Sequence, residues 1–520
     1  MKSLLIVSII ALHIYPVTTA KAETTELISL STTLRNALRQ NPDLKSQREG
    51  IEIRRAQVRG ELLDFEWGIE ALARYEDRSK PQNTREFIAV GSISLPGDDE
   101  RIFVDENLTS RIGLTKKYTT GTVVELGSRY SRLENTLNRT SSSSLYSPEY
   151  ETFTGLTLTQ PLLRGFGRSA NLAGVDIARH EVTSQELLTR LQAMNIVAEV
   201  ASSYIDVVAA DRLLSVRGRN VALAEQMLEQ NRELLESKEG LEADVVAAEL
   251  VLYQRQDQYI NAAVDKIARI NALFALIDRG PDLDRKTRLK PSNGFFSASS
   301  LKDKRELISY GQDQRLDVAY YEGRVEIGKI IVLRARDSTK PELNLTGTAG
   351  VYGLSDDGNG AYQEAADAQG TEWSVGFNFK MPLGREKNTA AIDEALAQLR
   401  QAEIDLSKTK LKISLEVDTA WSRVDAARKR IAASKKANQL ARKRVQQEQD
   451  LFDEGEGDFY RVIEQQEILA DTDEKVVLTQ AALSKSVISV WLASGQIFDR
   501  LGISDKDVEV ALMLANQEDN

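Results

Sequence analysis

The sequence predicts a mainly α-helical chain with a β-barrel part, internally duplicated, in which long coiled-coil helices alternate with transmembrane strands. Three observations predict this fold class. Residues 389–452 contain neither proline nor glycine. Two later segments, residues 343–352 and 373–381, alternate apolar and polar side chains with the period of two that a strand requires. The second half of the chain also repeats the order of elements of the first half.

The N-terminus has the pattern of a secretory signal. Lys2 supplies a positive end, residues 4–14 form a short apolar core, and Ala20-Lys21-Ala22 is a small-x-small cleavage site. That core is too short for a stable bilayer anchor. We therefore expect a signal peptide at residues 1–22, with an uncleaved N-terminal anchor as the alternative.

Composition excludes several classes of function. The chain has no cysteine, which removes disulfides, thiolate metal sites and cysteine nucleophiles. Its two histidines, His13 and His180, are too few for a metal site built from histidines. A catalytic triad in the mature chain would have to use His180, with no second histidine available. The net charge of −11 is opposite in sign to that of a typical nucleic-acid-binding domain. We expect no enzyme activity, no cofactor, no metal and no nucleic-acid partner.

A constant offset of 217 residues relates the two halves, which predicts a duplication. Tyr204 falls on Trp421, Gly240 on Gly457 and Phe274 on Trp491. The predicted organisation is a signal at 1–22, a first repeat at 23–278 with an extra hairpin at about 108–131, a linker at 279–300, a second repeat at 301–497 and a C-terminal tail at 498–520.

The long helices predict association with other helices. At 1.5 Å per residue, residues 389–452 would form about 95 Å of helix, too long to fold around a compact core. Residues 260, 263, 267, 270 and 274 are apolar at coiled-coil spacing. A filament-forming rod or an ordinary helical bundle would have the same pattern.

The strands predict a barrel that one chain does not close. The alternating segments are about ten residues long, as a tilted membrane strand requires, and residues 67–75 form a similar segment in the first half. The hairpin near Thr120-Gly121 either joins the wall or folds above it. A fourth strand is predicted at residues 156–161, ending at Pro161. Four strands are too few to close a barrel, so a trimer with twelve core strands is predicted. A half-buried sheet in water would show the same alternation.

At this point the chain resembles the outer membrane efflux protein family, the TolC-like channel-tunnels. The resemblance runs from about Leu34 to Ile497. It is carried by Gln160-Pro161-Leu162-Leu163-Arg164-Gly165, by the glycine-containing helical hairpins, and by Asn41-Pro42-Asp43. It implies a homotrimer with a β-barrel in the outer-membrane lipid and an α-helical tunnel in the periplasm. It also implies a periplasmic adaptor (membrane fusion) protein and an inner-membrane pump of the RND or ABC type.

The resemblance places function at the periplasmic tips of two helical hairpins and at two strand-to-helix junctions. The tip residues expected to dock the adaptor are Gly240, Leu241, Ala243, Asp244, Val245, Gly457, Asp458, Phe459, Val462 and Ile463. Gate or selectivity candidates are Asp453, Glu454, Glu456, Arg461 and Glu464. The junction residues are Pro161, Gly165, Pro382 and Gly384. Packing and helix capping are the simpler roles for the tip residues.

The tip departs from the family in one respect. Where the family often has two aspartates one turn apart, this chain has Arg461 and Glu464. We therefore expect an arginine–glutamate contact that latches the gate. The predicted function is passive conduction in a tripartite efflux or type I secretion system. The alternatives are a structural coiled-coil protein of the periplasm or cell surface, and an outer-membrane enzyme with a barrel anchor.

Overall fold

The computed structural model describes residues 24–81, 102–136, 138, 145–280, 287–298, 301–381 and 385–513. The chain divides into two compact units. Unit 1 comprises Met1–Lys45, Ala193–Gly311 and Leu415–Asn520, and unit 2 comprises Ser46–Gln192 and Gln312–Ser414. Most elements belong to one unit, whereas the longest helices contribute residues to both.

The sheet of unit 2 has six strands among the described residues. They are β2 (Trp67–Pro81), β3 (Ile102–Lys117), β4 (Val123–Asn135), β5 (Glu149–Pro161), β7 (Glu342–Ser355) and β8 (Gly370–Lys380). The order is β2-β3-β4-β5-β7-β8, and every neighbouring pair is antiparallel. The strands from the two halves of the sequence therefore form one sheet, joined where β5 pairs with β7.

The strands are longer than the ten residues expected from the sequence, because they run from 11 residues in β8 to 16 in β3. The alternating apolar segment marks only part of each strand. In β7, for example, Leu354 and Ser355 continue the pairing with β5 past the last alternating residue, Tyr352. Backbone hydrogen bonds extend a strand wherever a neighbour is present, and side-chain patterning does not report them.

The two faces of this sheet differ in polarity. On one face, directly paired residues include Ile69 and Leu114, Leu126 and Leu156, and Ala349 and Trp373. Trp373 is 79% exposed, so large apolar groups of this face lie uncovered in a single chain. The opposite face presents charged groups such as Arg111, Glu125 and Arg129.

Helices complete unit 2. They are most of α2 (Pro42–Leu63), α3 (Arg168–Asn171), α7 (Leu316–Ser338) and α8 (Gly358–Ala366). Helix α8 lies between β7 and β8 in sequence and packs on the sheet. Its Tyr362 ring stacks on Tyr130, with ring centroids 6.1 Å apart, and Thr152 Oγ1 donates to Ala361 O at 3.1 Å.

Unit 1 is built mainly from long helices. The helices that lie wholly in it are α1 (Leu30–Gln40), α5 (Glu242–Leu276), α10 (Phe459–Ala493), α11 (Ile497–Leu501) and α12 (Asp505–Met513). Three further helices contribute residues to both units: α4 (Ala173–Glu236), α6 (Lys304–Gln314) and α9 (Arg385–Asp453). Strands β1 (Thr24–Ile28) and β6 (Thr287–Pro291) form a parallel pair. The buried Tyr204 hydroxyl secures this pair, because it donates to Ile28 O at 2.9 Å and accepts from Asn293 N at 3.0 Å.

Ion pairs link the long helices of unit 1. The Arg217 guanidinium of α4 donates to both carboxylate oxygens of Glu474 on α10, at 2.8 and 3.0 Å. This hydrogen bonding raises the pKa of Arg217 above its already high value. These two charge-assisted hydrogen bonds fix the register of α4 against α10.

Among the residues that the structure describes, two helices are apolar enough over 18 residues to be considered as membrane spans, Ala173–Glu236 and Phe459–Ala493. In these windows 72% and 50% of the residues, respectively, are buried inside the protein. Core helices of soluble proteins pass the same test, so we interpret both as packed helices of the bundle.

Candidate functional site

Two helical hairpins of unit 1 form the candidate site. In the first, α4 ends at Glu236 and α5 begins at Glu242. In the second, α9 ends at Asp453 and α10 begins at Phe459. We call the residues that join the helices, together with the adjoining turns, tip 1 and tip 2.

Both tips end their first helix with the same Schellman motif. In tip 1, Lys238 N donates to Leu235 O at 3.1 Å, and Glu239 N donates to Leu234 O at 2.9 Å. In tip 2, Gly455 N and Glu456 N make the equivalent bonds to Phe452 O and Leu451 O, both at 3.0 Å. These bonds satisfy carbonyls that the helix leaves free. The equivalent positions are 217 residues apart, which supports the proposed duplication.

The left-handed residue of the motif differs between the tips. In tip 1 it is Lys238, with φ of 66°, and in tip 2 it is Gly455, with φ of 77°. A side chain in this conformation costs about 1–2 kcal/mol. Gly240 and Gly457, two of the predicted tip residues, have a different role. A Cβ on Gly457 would lie 2.7 Å from Phe452 N, and one on Gly240 would lie 2.9 Å from Leu234 Cβ. These two glycines permit close packing against the preceding helix end.

The difference at the left-handed position predicts that Lys238→Gly stabilises tip 1 by about 0.5–1 kcal/mol. Relief of the left-handed side chain, about 1–2 kcal/mol, exceeds the entropy that glycine adds to the unfolded chain, about 0.4–1 kcal/mol. Amide hydrogen exchange at the end of α4 should slow by about two- to fivefold. Gly455→Lys is the reciprocal change, at a position where an added Cβ would meet no other atom within 4 Å. It should speed amide exchange in tip 2. Equal exchange rates in the unmodified protein and both variants would contradict this explanation.

A small core ties the two tips together. Met227 and Leu228 of α4, Ala248 of α5, and Phe459 and Val462 of α10 are buried in one cluster. Val245, Phe452 and Ile463 pack against it. Four of the predicted docking residues, Val245, Phe459, Val462 and Ile463, therefore contact the interior of their own chain, and we propose a packing role for them.

The exposed tip residues form the surface that a partner could contact. Leu241 is 67% exposed, Ala243 and Asp458 are exposed, and Gly240 and Asp244 are half-buried. Asp458 also caps α10, since its carboxylate accepts from Tyr460 N at 3.0 Å. Leu241, the residue before α5, makes no such side-chain bond. An exposed leucine at a helix start, without a capping role, is the strongest docking candidate of the set.

The gate candidates are exposed carboxylates and one cation. Asp453 accepts a hydrogen bond from Gln449 Nε2 at 2.9 Å. Glu454, Glu456, Arg461 and Glu464 are all exposed. Within the part of the chain that the structure describes, Arg461 and Glu464 form no ion pair. An arginine–glutamate latch would therefore have to join neighbouring copies of the chain.

One strand-to-helix junction lies in the described residues. Strand β5 ends at Pro161, and Gly165, with φ of 76°, begins the turn toward α3. Gly165 N donates to Asp337 Oδ2 at 2.8 Å, and Gly165 O accepts from Asn171 Nδ2 at 2.7 Å. Glycine is needed there for its backbone angle. Pro382 and Gly384, the predicted second junction, lie outside the described residues.

An apolar stripe on α5 was not among the features predicted from the sequence. Six side chains spaced at steps of three, four or seven residues are 43–62% exposed, and Asp257 occupies the one gap in the spacing. The stripe comprises Val246, Leu250, Tyr253, Ile260, Val264 and Ile267. Heptad spacing was the available signal. The row of apolar residues predicted from it, at 260, 263, 267, 270 and 274, shares only Ile260 and Ile267 with this stripe. Of the other three members of the predicted row, Ala263 is half-buried, and Ile270 and Phe274 are buried within the chain.

Comparison with known proteins identifies this architecture. Residues 314–496 match the model of the family described as outer membrane efflux protein. This match covers just over a third of the chain and lies in its second half. The outer membrane efflux protein BepC of Brucella suis is 25% identical over 286 residues, which is 54% of this chain and 58% of that relative. The alignment thus spans just over half the length of the relative.

Solved structures of outer membrane proteins share the fold over nearly the whole chain. VceC from Vibrio cholerae superposes with a TM-score of 0.63 at 14% identity, covering 90% of this chain and 96% of that one. The CmeC outer membrane channel of Campylobacter jejuni gives a TM-score of 0.61 at 16% identity, covering 95% and 94%. The predicted fold class, a mainly α-helical chain with a β-barrel part, is confirmed. The resemblance to the outer membrane efflux protein family is confirmed over residues 314–496, and the comparisons support the predicted outer-membrane location extending into the periplasm.

Proposed function

We propose that this efflux-family chain forms a homotrimeric channel-tunnel that passively conducts export substrates from an adaptor and an inner-membrane pump across the outer membrane. Channels of the outer membrane efflux family normally work with such partners. The proposal gives the chain itself no catalytic step. It favours efflux over type I secretion, because the matched family and BepC are both described as efflux proteins.

The sheet of unit 2 carries this proposal. Its edge strands, β2 and β8, each have one side without a strand partner among the described residues. In lipid, free backbone groups and open edges are too costly to persist. Pairing β8 of one copy with β2 of the next would satisfy both edges and turn the apolar face toward lipid.

The apolar stripe on α5 supports the association of several copies of the chain. A row of apolar side chains at heptad spacing needs a facing helix. Within one chain this row is uncovered, since Val246, Ile260 and Val264 are each at least 60% exposed. A second copy of the chain is the partner we propose for it. A soluble coiled-coil rod would account for the stripe but would leave the apolar sheet face in water.

Passive conduction is testable with purified protein in planar bilayers. We expect discrete channels without nucleotide or other energy source. Arg461→Ala should raise the single-channel conductance, because it removes one side of the proposed latch between copies. Lys475→Ala, at another exposed cation on α10, should leave the conductance unchanged. A conductance unaltered by Arg461→Ala would count against the latch, and absence of channels would count against conduction itself.

Adaptor docking at the tips predicts a strong effect of Leu241→Glu. Burying a leucine side chain contributes about 1.5–3 kcal/mol, so adaptor affinity should fall at least about tenfold. Cells should then accumulate a fluorescent efflux substrate, although the amount of trimer is unchanged. Leu241→Ile retains the apolar surface and should behave as the unmodified protein. Equal export by the glutamate variant would remove Leu241 from the docking surface.

A further inference from the structure

The β3–β4 hairpin, for which the sequence allowed two placements, pairs with the sheet on both sides. Strand β3 pairs with β2 from Lys116 opposite Trp67 to Ile102 opposite Pro81. Strand β4 pairs with β5 from Val123 opposite Thr159 to Leu133 opposite Glu149. Because both of its outer edges are hydrogen-bonded, the hairpin forms the wall between β2 and β5.

The side chains of the hairpin follow the polarity of that wall. Ile112 and Leu114 of β3 lie on the apolar face, opposite Ala71 and Ile69 of β2. Leu126 of β4 lies on the same face, opposite Leu156 of β5. Ile112 and Leu126 are 54% and 47% exposed, as expected for groups that face lipid. A hairpin folded above a membrane would not need to continue the apolar face of its neighbours.

A row of four glycines crosses the sheet on the polar face. Gly113, Gly127, Gly155 and Gly350 are directly paired in β3, β4, β5 and β7. A Cβ on Gly155 or Gly350 would lie 2.7 or 2.6 Å from the ring of Phe153, which covers both. Glycines in strands permit tight bending, and an aromatic ring can cover the gap they leave. The hairpin supplies half of this row, so it takes part in bending the wall.

The turn of the hairpin is fixed to the end of the wall. Gly121, with φ of 92°, packs so closely that a Cβ would lie 2.2 Å from Gly165 O and 2.8 Å from Pro161 Cγ. Gly167 N donates to Thr120 O at 3.0 Å. The turn therefore rests on the junction where β5 leaves the sheet, level with the ends of the other strands.

A hairpin adds two strands, so its insertion preserves the alternation of strand directions. Without the hairpin, β2 and β5 would still be antiparallel. Successive pairings connect Ala71 to Ile112, Ile112 to Ser128, and Ser128 to Thr154. Removing the two middle residues would therefore bring Ala71 opposite Thr154 on the apolar face. The remaining order, β2-β5-β7-β8, is the four-strand wall expected from the sequence. The hairpin is thus an addition to a wall that is complete without it.

We propose that the β3–β4 hairpin widens the barrel and so raises the limit on cargo width. This inference rests on the proposed trimer, in which three chains with six described strands each give eighteen strands instead of twelve. Barrel diameter grows roughly linearly with strand number, so the barrel is about 1.5-fold wider than one built from four strands per chain. The hairpin also brings Arg111, Glu125 and Arg129 to the polar face, where they line the wider lumen.

Paired cysteines test the placement of the hairpin in the full-length protein. The chain has no cysteine of its own, so each introduced pair reports a single distance. We expect Ala71→Cys with Ile112→Cys to form a disulfide within one chain in outer-membrane fractions, and Ala71→Cys with Thr154→Cys to stay reduced. Ile112→Cys with Ser128→Cys, across the hairpin, is the oxidation control and should cross-link in either arrangement.

The reverse result would overturn the inference. If the 71–154 pair cross-links and the 71–112 pair does not, β2 pairs with β5 and the hairpin lies outside the wall. If only the control cross-links, β2 pairs with neither strand, which also overturns it. The oligomeric state is read separately, as the mass of the unheated complex in mild detergent. A monomer with the expected cross-links would refute the proposed trimer while leaving the hairpin in the wall.

Barrel width is measured on end-on electron microscopy views of the complex in lipid nanodiscs. Deleting residues 102–136 should reduce the barrel diameter to about two-thirds, because β3 and β4 begin and end at the same edge of the sheet and their removal lets β2 reach β5. Equal diameters for the deletion variant and the full chain would overturn the widening. If the deletion variant does not fold, the diameter of the full chain decides between eighteen and twelve strands.

Discussion

Val375→Arg is expected to destabilise the membrane-inserted protein by about 2–4 kcal/mol per chain, the cost of an arginine facing the middle of the bilayer. Val375 lies on the apolar face of β8, opposite Gly347 of β7, and is 65% exposed in one chain. Apolar residues extend along the strand on both sides of it, from Trp373 to Phe379. This position therefore falls near the middle of the apolar band. The free energy is measured from urea titrations of folding into lipid vesicles.

Ser374→Arg is the matched control, because Ser374 precedes Val375 on the same strand and points to the opposite face. In the proposed barrel that face lines a water-filled lumen, where the arginine stays hydrated. We expect the control to lose much less stability. Equal losses for the two variants would mean that neither face of the sheet contacts lipid, and the barrel orientation would be refuted.

Phe459→Ala is expected to destabilise the tips locally by about 3–5 kcal/mol, the usual cost of truncating a buried phenylalanine. Phe459 is 4% exposed and lies in the small core between the two hairpins. Its ring centroid is 5.5 Å from that of Phe452, the aromatic residue at the end of α9. Truncation removes the contact that joins the start of α10 to the end of α9. Faster amide exchange confined to both tips would show the loss.

Tyr460→Ala provides a comparison at the next residue, which is 60% exposed. Truncating this side chain removes little buried area, so exchange in the tips should remain nearly unchanged. If the two alanine variants behaved alike, burial within one chain would not determine the stability of the tips. Phe459 would then return to the set of docking candidates.

Local patterns predicted much of the fold. Strict alternation located the second-half strands, and the observed β7, Glu342–Ser355, contains the whole predicted segment 343–352. The absence of proline and glycine predicted the long helix, observed as Arg385–Asp453. Both signals depend on residues close in sequence, and short-range periodicity reports such elements well.

Features that depend on distant residues were not predictable in the same way. The place of the β3–β4 hairpin depends on its register against β2 and β5, which no local pattern encodes. The stripe on α5 follows heptad spacing, but the charged Asp257 interrupts it. Burial in one chain was needed to separate this outward stripe from Ile270 and Phe274, which face inward.

The central claim, that sheets from three chains close one barrel in the outer membrane, is tested most directly by cryo-electron microscopy of protein extracted from outer membranes into lipid nanodiscs. We predict particles with threefold symmetry in which β8 of each copy pairs with β2 of the next inside the bilayer. Single chains, or sheets whose β2 and β8 edges remain open, would contradict the account.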